Sequence, residues 1–265
     1  LSQEIVYQAS AGPKAWPNIE VLAAKLKDVG LRVAHPHIVG VIDTSIGFAA
    51  HLCGRWREAR LFMEAGLATL RNYGSGVRWE VDMGEVYWLT TLYYLGEWRE
   101  FTRLVPSLLR DANERGDLIA QFWLRTGRCN FAWLVQNRPD EARAQLEVAE
   151  TMIGENYATV HHVYALLAHL NIDLYTGDIV GGWARLNAAW PTLERMFVMR
   201  VQNLRVELLA TRARLALMAQ PMTDANLKIA RQAADELQRE TCHWGQAIGL
   251  VVGAAVLDAN GQAKV

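Results

Sequence analysis

The sequence predicts an all-α fold, a right-handed superhelical solenoid of stacked helical hairpins with a period of about 41 residues. A turn recurs at Gly54, Gly96, Asn137 and Gly177, in steps of 42, 41 and 40 residues. Apolar residues between positions 160 and 175 follow the 3.6-residue period of a helix. No alternating pattern extends beyond about four residues, so no sheet is expected.

Each recurring turn is predicted to separate two helices. Glycine suits the left-handed residue that ends a helix, and Asn137 is the usual substitute. Pro139 fits the first turn of the next helix, where its missing N–H is not needed. Trp56 and Trp98 occupy equivalent positions after the first two turns. We expect both indoles to be mostly buried between hairpins.

Three parts are expected along the chain. Residues 1–37 form an N-terminal capping segment, with three prolines and one clear helix near residues 19–29. Residues 38–222 hold the hairpins, with a degenerate fifth turn near residue 220, and longer loops near 73–76, 114–117 and 154–156 separate the repeats. Residues 223–265 form a last helix pair and a tail from Asn260. Because the chain opens on Leu1, we interpret it as a piece of a larger protein.

The composition favours a cytoplasmic protein-binding role. Lys plus Arg number 27 and Asp plus Glu 28, so the basic excess of a nucleic-acid partner is missing. No apolar run approaches the roughly 20 residues of a membrane span, and no signal peptide is evident. The isolated Cys53, Cys129 and Cys242 suit buried thiols in a reducing compartment.

Catalytic motifs are missing from the sequence. It has no phosphate-binding Gly-Lys-Ser/Thr loop, no kinase motif and no nucleophile elbow. The histidine pairs 35/37 and 161/162 lack Cys or carboxylate neighbours at zinc-ligand spacing. We therefore predict no enzyme activity, no cofactor and no metal.

A partner-binding groove is expected along the first helix of each hairpin. Aligning the hairpins on the turn residue gives its lining: Phe48, His51, Val86, Thr90, Tyr93, Phe131, Leu134 and Asn171. This surface is apolar and aromatic, which favours a hydrophobic peptide or a neighbouring helix and weak dependence on salt. Alternatively, the chain's own ends or a second copy fill it, so self-association is left open.

A second hypothesis concerns two arginines. Arg205 and Arg212 are seven residues apart on one helix face and suit a phosphate or an acidic peptide. A solvated face with acidic neighbours such as Glu194 and Glu207 is the alternative.

The small–large alternation of Gly47, Gly54 and Ala59, with Ala142 and Ala149 in the third copy, resembles the tetratricopeptide repeat, whose usual period is about 34 residues. A longer resemblance rests on ordered segments over nearly the whole chain: His-Pro-His at 35–37, Gly-Arg-Trp-Arg at 54–57, Gly-Val-Arg-Trp-Glu at 76–80, Tyr-Tyr-Leu-Gly-Glu at 93–97, Glu-Arg-Gly-Asp at 114–117, Tyr-Ala-Leu-Leu at 164–167, Ile-Asp-Leu-Tyr-Thr-Gly-Asp at 172–178 and Arg-Ala-Arg-Leu-Ala at 212–216. Together they resemble the C-terminal repeat region of large bacterial serine/threonine protein kinases.

In that family a kinase domain and a predicted NTPase module precede the repeats. The resemblance implies a non-catalytic module for protein–protein interaction or sensing in a bacterial signalling kinase or NTPase. Two alternatives stay open, a ligand-sensing repeat domain of an NTPase-type transcription regulator and a free-standing scaffold. An enzyme on a helical scaffold would need ionisable residues that converge in a cleft.

Overall fold

The computed structural model describes residues 1–74, 76–154 and 159–259, which form fourteen α-helices, two 3-10 segments and no strand. The helices are α1 (Ser2–Ala9), α2 (Trp16–Val33), α3 (Pro36–Leu52), α4 (Trp56–Tyr73), α5 (Arg78–Leu95), α6 (Trp98–Arg115), α7 (Leu118–Arg125), α8 (Phe131–Val135), α9 (Pro139–Glu150), α10 (Val160–Thr176), α11 (Ile179–Arg195), α12 (Gln202–Met218), α13 (Asp224–Gln238) and α14 (His243–Ala259). The prediction of an all-α fold is confirmed. Ser75, loop residues 155–156 and the tail from Asn260 lie outside the described residues.

The chain divides into two compact units, Leu1–Met152 with α1–α9 and Ile153–Val265 with α10–α14. In the first unit α3 packs against α4, and α4 against α5. In the second, α12, α13 and α14 pack together around a core that includes Leu186, Trp190, Leu209 and Leu237. The three-part division expected from the sequence stays a prediction.

The four predicted turns share one backbone geometry. The turn residues have positive φ, at 74°, 73°, 57° and 78° in chain order. At each turn the next amide donates to the carbonyl five residues earlier: Arg55 to Ala50 at 2.8 Å, Glu97 to Leu92 at 3.0 Å, Arg138 to Trp133 at 2.9 Å and Asp178 to Asp173 at 2.9 Å. This is the bond that closes a Schellman cap. All four positions therefore end one helix and lead directly into another.

Helices α3 and α4 approach one another backbone to backbone. A Cβ atom on Gly66 would lie 2.8 Å from the amide nitrogen of Thr44 and 2.9 Å from the carbonyl oxygen of Gly40. Only glycine fits at position 66 without moving a helix. This contact fixes the first hairpin, whose turn forms one side of the candidate site.

The third hairpin departs from the expected single first helix, because α7 ends at Arg125 and α8 begins only at Phe131. Gly127 has φ of 52°, which interrupts the helix. Asn130 holds the break, since its Nδ2 donates to the carbonyls of Arg125 at 2.8 Å and Ala142 at 2.9 Å. The break carries Arg128 into the interior, where 2% of its surface is exposed.

The N-terminal segment contains one more helix than the sequence indicated. Helix α1 buries Ile5 and Ala9 in a cluster that also holds Ile19 and Ile46. A helix of eight residues has little stability of its own, so packing against α3 stabilises α1. Local sequence signals therefore missed it.

Candidate functional site

An open cleft of about 460 Å³ lies between the first and second hairpin turns. Residues 54–58 form one side, and Tyr94 and Leu95 form the other. The left-handed Gly54 turns the chain from α3 into α4, which places Trp56 and Arg57 at the start of α4. Tyr94 lies in the last turn of α5. The cleft thus lies between the two recurring turns, and its lining consists of an aromatic wall (Trp56 and Tyr94) and a charged wall (Arg55, Arg57 and Glu58).

The aromatic wall is a pair of parallel rings. The rings of Trp56 and Tyr94 lie with centroids 4.6 Å apart and planes 1° apart. The guanidinium carbon of buried Arg128 lies 5.0 Å from the centroid of the Tyr94 ring, within the range of a cation–π contact. Tyr94 is thereby held between Trp56 of α4 and Arg128 of the segment that joins α7 to α8.

The charged wall carries one net positive charge, from two arginines and one glutamate. Arg55 pairs with Glu58 at 2.6 Å, and its guanidinium carbon lies 4.4 Å from the centroid of the Trp16 ring. Arg57 is exposed and forms no ion pair within the part of the chain that the structure describes. Arg57 lies at the start of α4, where the helix dipole has its positive end. An anion bound beside Arg57 would therefore be stabilised by the guanidinium charge and by the helix dipole.

His51 is held in the interior behind the aromatic wall. Its Nδ1 lies 2.8 Å from Oγ1 of Thr91, and that hydroxyl donates to the carbonyl of Tyr87 at 2.7 Å. Since the hydroxyl hydrogen is used, Thr91 accepts from Nδ1–H, and Nδ1 carries the proton of the neutral ring. Burial, assisted by the positive charge of Arg128, lowers the pKa of His51 to about 3. The histidine is therefore a neutral structural group.

The predicted groove residues fall into two classes. Buried side chains are His51, Val86, Thr90 and Leu134, and half-buried ones are Phe48, Tyr93, Phe131 and Asn171. The first four lie in the interior and offer little surface to a partner. Asn171 belongs to the second unit, and partner contact by the half-buried four stays a prediction.

Ring contacts join the aromatic members of the predicted groove in the first unit. Phe48 contacts Tyr87, with centroids 3.5 Å apart, and Tyr93 contacts Phe131 at 5.4 Å. Sequence reasoning missed Tyr87 and Tyr94, which face α3 together with Thr91. They are spaced four and three residues apart, as are the predicted Val86, Thr90 and Tyr93. Helix α5 is thus turned by one residue relative to the prediction.

The prediction that both indoles are mostly buried is wrong for Trp98, which is 37% exposed. Its ring lies 5.5 Å from Tyr93 and 5.9 Å from Phe131, centroid to centroid. Trp98 therefore covers the end of the aromatic row instead of entering the space between helices. Trp56 is half-buried.

The two predicted anion-binding arginines already have neighbours within the second unit. Arg205 donates to both carboxylate oxygens of Glu240, at 2.6 and 2.8 Å. The guanidinium carbon of Arg212 lies 3.8 Å from the centroid of the Trp190 ring. Arg205 is consequently neutralised by a buried carboxylate and is a poor anion ligand.

Other chemistry-bearing groups are separate from the cleft. Burial raises the pKa of the Cys53 and Cys129 thiols to about 12, so both are protonated at neutral pH. Within residues 1–74, 76–154 and 159–259, no group of three or more His, Cys, Asp or Glu side chains is arranged to hold a metal. A smaller pocket of about 210 Å³ lies between α2 and α3 beside Lys27 and Asp43.

No helix in the described part of the chain has both the length and the apolar character needed to cross a bilayer. No protein-family model matches the chain, and no curated protein or solved structure matches it either.

Proposed function

We propose that this chain is a non-catalytic helical-repeat module that binds an acidic protein segment in the cleft between its first two hairpin turns. The proposal includes a right-handed solenoid with a period of about 41 residues. The same Schellman bond at all four recurring turns supports it. The proposed setting, a bacterial signalling kinase or related NTPase, rests on the sequence resemblance.

The observation that carries the proposal is the parallel Trp56–Tyr94 pair beside the unpaired Arg57. Fixed aromatic rings provide contact area at a low cost in conformational entropy, and Trp, Tyr and Arg dominate binding hot spots. The guanidinium suits a carboxylate, and the rings suit an apolar or aromatic side chain. A segment with an acidic residue beside an aromatic residue has both features.

The charge of the cleft changes the expected salt dependence. An apolar groove predicts binding that is nearly indifferent to salt. A cleft with a net positive charge predicts weaker binding as salt screens the exposed guanidinium. Arg99 occupies in α6 the position of Arg57 in α4, and it too is exposed and forms no ion pair with any described residue. The basic character therefore recurs in the second hairpin.

The non-catalytic part of the proposal draws support from protonation states. His51 is neutral, and Cys53 and Cys129 are protonated thiols, because all three are buried. A general base must reach its substrate, and a thiolate is needed for nucleophilic attack. These residues serve as packing groups.

The ligand-sensing alternative has the pocket between α2 and α3 as its support. At about 210 Å³ this pocket is smaller than the roughly 300–1,000 Å³ of small-molecule sites. Its lining is mainly apolar, and burial raises the pKa of the Asp43 carboxyl while the charge of Lys27 opposes the shift. The larger cleft therefore supports the interaction module better.

The test is fluorescence anisotropy with a labelled peptide in which glutamates flank one tryptophan, against a peptide with lysines in place of the glutamates. Arg57→Glu should raise the Kd of the acidic peptide at least about tenfold and leave the fold intact, since the side chain is exposed. Arg231→Glu, the same charge change at an exposed position of α13, is the matched control. An equal loss of peptide affinity in both variants, or no loss of affinity in either, would contradict the proposal.

A further inference from the structure

The outer face of α14 is exposed and apolar. Gly245, Gly249, Val252 and Val256 face the other helices of the second unit and are buried. The opposite face carries Leu250 at 62% and Val251 at 70% exposure. Between His243 and Asp258 the helix has no charged residue. Such a face, left uncovered by the described residues, favours contact with another apolar surface.

Besides Ala255, Leu257 and Ala259, α14 has six exposed residues that are spaced symmetrically along the helix. In order they are His243, Ala247, Leu250, Val251, Ala254 and Asp258. The steps between them are 4, 3, 1, 3 and 4 residues, which read the same in both directions. We name these six residues the α14 stripe. Steps of three and four keep them on one side of the helix.

We infer that the α14 stripe is a self-association surface, through which two copies of this chain pair with their α14 helices antiparallel about a twofold axis. The axis passes between Leu250 and Val251. A twofold interface brings the same surface patch of both copies together, so the patch must be complementary to itself when reversed. The palindromic spacing has this property.

The side chains match in this arrangement. Leu250 lies opposite the partner's Val251, which places large residues at the centre. Ala247 lies opposite the partner's Ala254, where small side chains let the two helices approach closely. Farther out, the exposed Leu257 lies opposite the partner's Trp244.

Charges at the two ends support the antiparallel direction. His243 begins α14 and Asp258 lies in its last turn. Within one helix Asp258 is badly placed, because a carboxylate is disfavoured at the C-terminus. In the antiparallel pair His243 lies opposite the partner's Asp258 at both ends. A parallel pair would place the two Asp258 carboxylates together.

The expected association is weak. One helix face covers less than the roughly 800 Å² that each partner buries in a stable interface. We therefore expect monomers and dimers in exchange, with a dimer of about twice the 29.7 kDa chain mass at high concentration. This inference does not depend on the cleft of the first unit, because a different unit carries it.

The experiment is sedimentation velocity of the 265-residue chain over a range of concentrations. Val251→Glu should raise the dimer Kd at least about tenfold, because it buries a carboxylate in an apolar contact. Val180→Glu, at a valine that is 75% exposed on α11, should leave the Kd unchanged. Asp258→Lys should weaken the dimer, and His243→Asp added to Asp258→Lys should restore it.

Crosslinking tests the direction of the pair. A mixture of Ala247→Cys and Ala254→Cys chains should form a disulfide between the two variants, whereas each variant alone should crosslink poorly. A monomer at every concentration, an unchanged dimer in Val251→Glu, or crosslinks within each variant alone would overturn the inference. So would Val251-dependent binding of a monomer to phosphatidylcholine vesicles.

Discussion

The indole of Trp56 lies parallel to the phenol ring of Tyr94, with 4.6 Å between centroids and 1° between planes. Parallel aromatic pairs stabilise a fold by about 1 kcal/mol beyond the area they bury. In a double-mutant cycle with Trp56→Leu and Tyr94→Leu, we expect a coupling of about that size in urea unfolding. If the losses of stability in the two single variants add to within about 0.3 kcal/mol in the double variant, the two rings contact each other without stabilising the fold as a pair.

The turns were predictable from the sequence, and the direction in which α5 faces was not. Gly54, Gly96 and Asn137 are local signals, because a left-handed residue at a helix end depends on residue type. On α5 the row through Val86 and the row one residue later through Tyr87 each contain one threonine, and their other members are apolar or aromatic. Tertiary packing against α3 selects the second, and no local signal reports that choice.

The interior of the third hairpin was also not predictable from the sequence. Arginine is rarely buried, so Arg128 in a polar stretch predicts a surface residue. The structure buries it because α7 stops at Arg125 and the Tyr94 ring receives its guanidinium. The aromatic wall of the candidate cleft therefore depends on a helix break that periodicity did not indicate.

His51 should make stability depend on pH. Its pKa falls from 6.5 in the unfolded chain to about 3 in the fold. The unfolded state therefore binds an extra proton between these values, and stability is lost as the pH falls below 6.5, by about 1.4 kcal/mol per unit.

The variant His51→Asn keeps a donor for Thr91 and removes the titration. The measurement is urea unfolding of both proteins at pH 7.5 and at pH 5. The difference between the unfolding free energies of parent and variant should be smaller by about 2 kcal/mol at pH 5 than at pH 7.5. A difference that stays constant would contradict a neutral buried histidine.

Gly66→Ala should destabilise the first hairpin. The added methyl would meet the backbone of Thr44 and Gly40, so α3 and α4 must separate, at a cost of about 1–3 kcal/mol. Gly154→Ala is the control, because no atom lies within 4 Å of its added Cβ. Thermal unfolding should give a lower Tm for the first variant alone; equal Tm values would refute the close approach.

Glu240→Gln should weaken the second unit. The carboxylate accepts two N–H groups of Arg205 and one from Gln202, and only 8% of Glu240 is exposed. Loss of the charge should cost about 2 kcal/mol in urea unfolding. Glu236→Gln, at an exposed position near the end of α13, should change stability by less than about 0.5 kcal/mol. A similarly small loss of stability in both variants would mean that the ion pair between Arg205 and Glu240 contributes little to the stability of the fold.

Hydrogen exchange, with and without the acidic tryptophan peptide, tests the proposed binding cleft most directly. The first amides of α4 have no acceptor within their own helix, so they should exchange quickly in the free chain. Slower exchange is expected at residues 56–58 when the peptide is bound, and this effect should be lost in Arg57→Glu. Protection confined to other segments, such as the α12 face of Arg205 and Arg212, would contradict the proposed binding cleft.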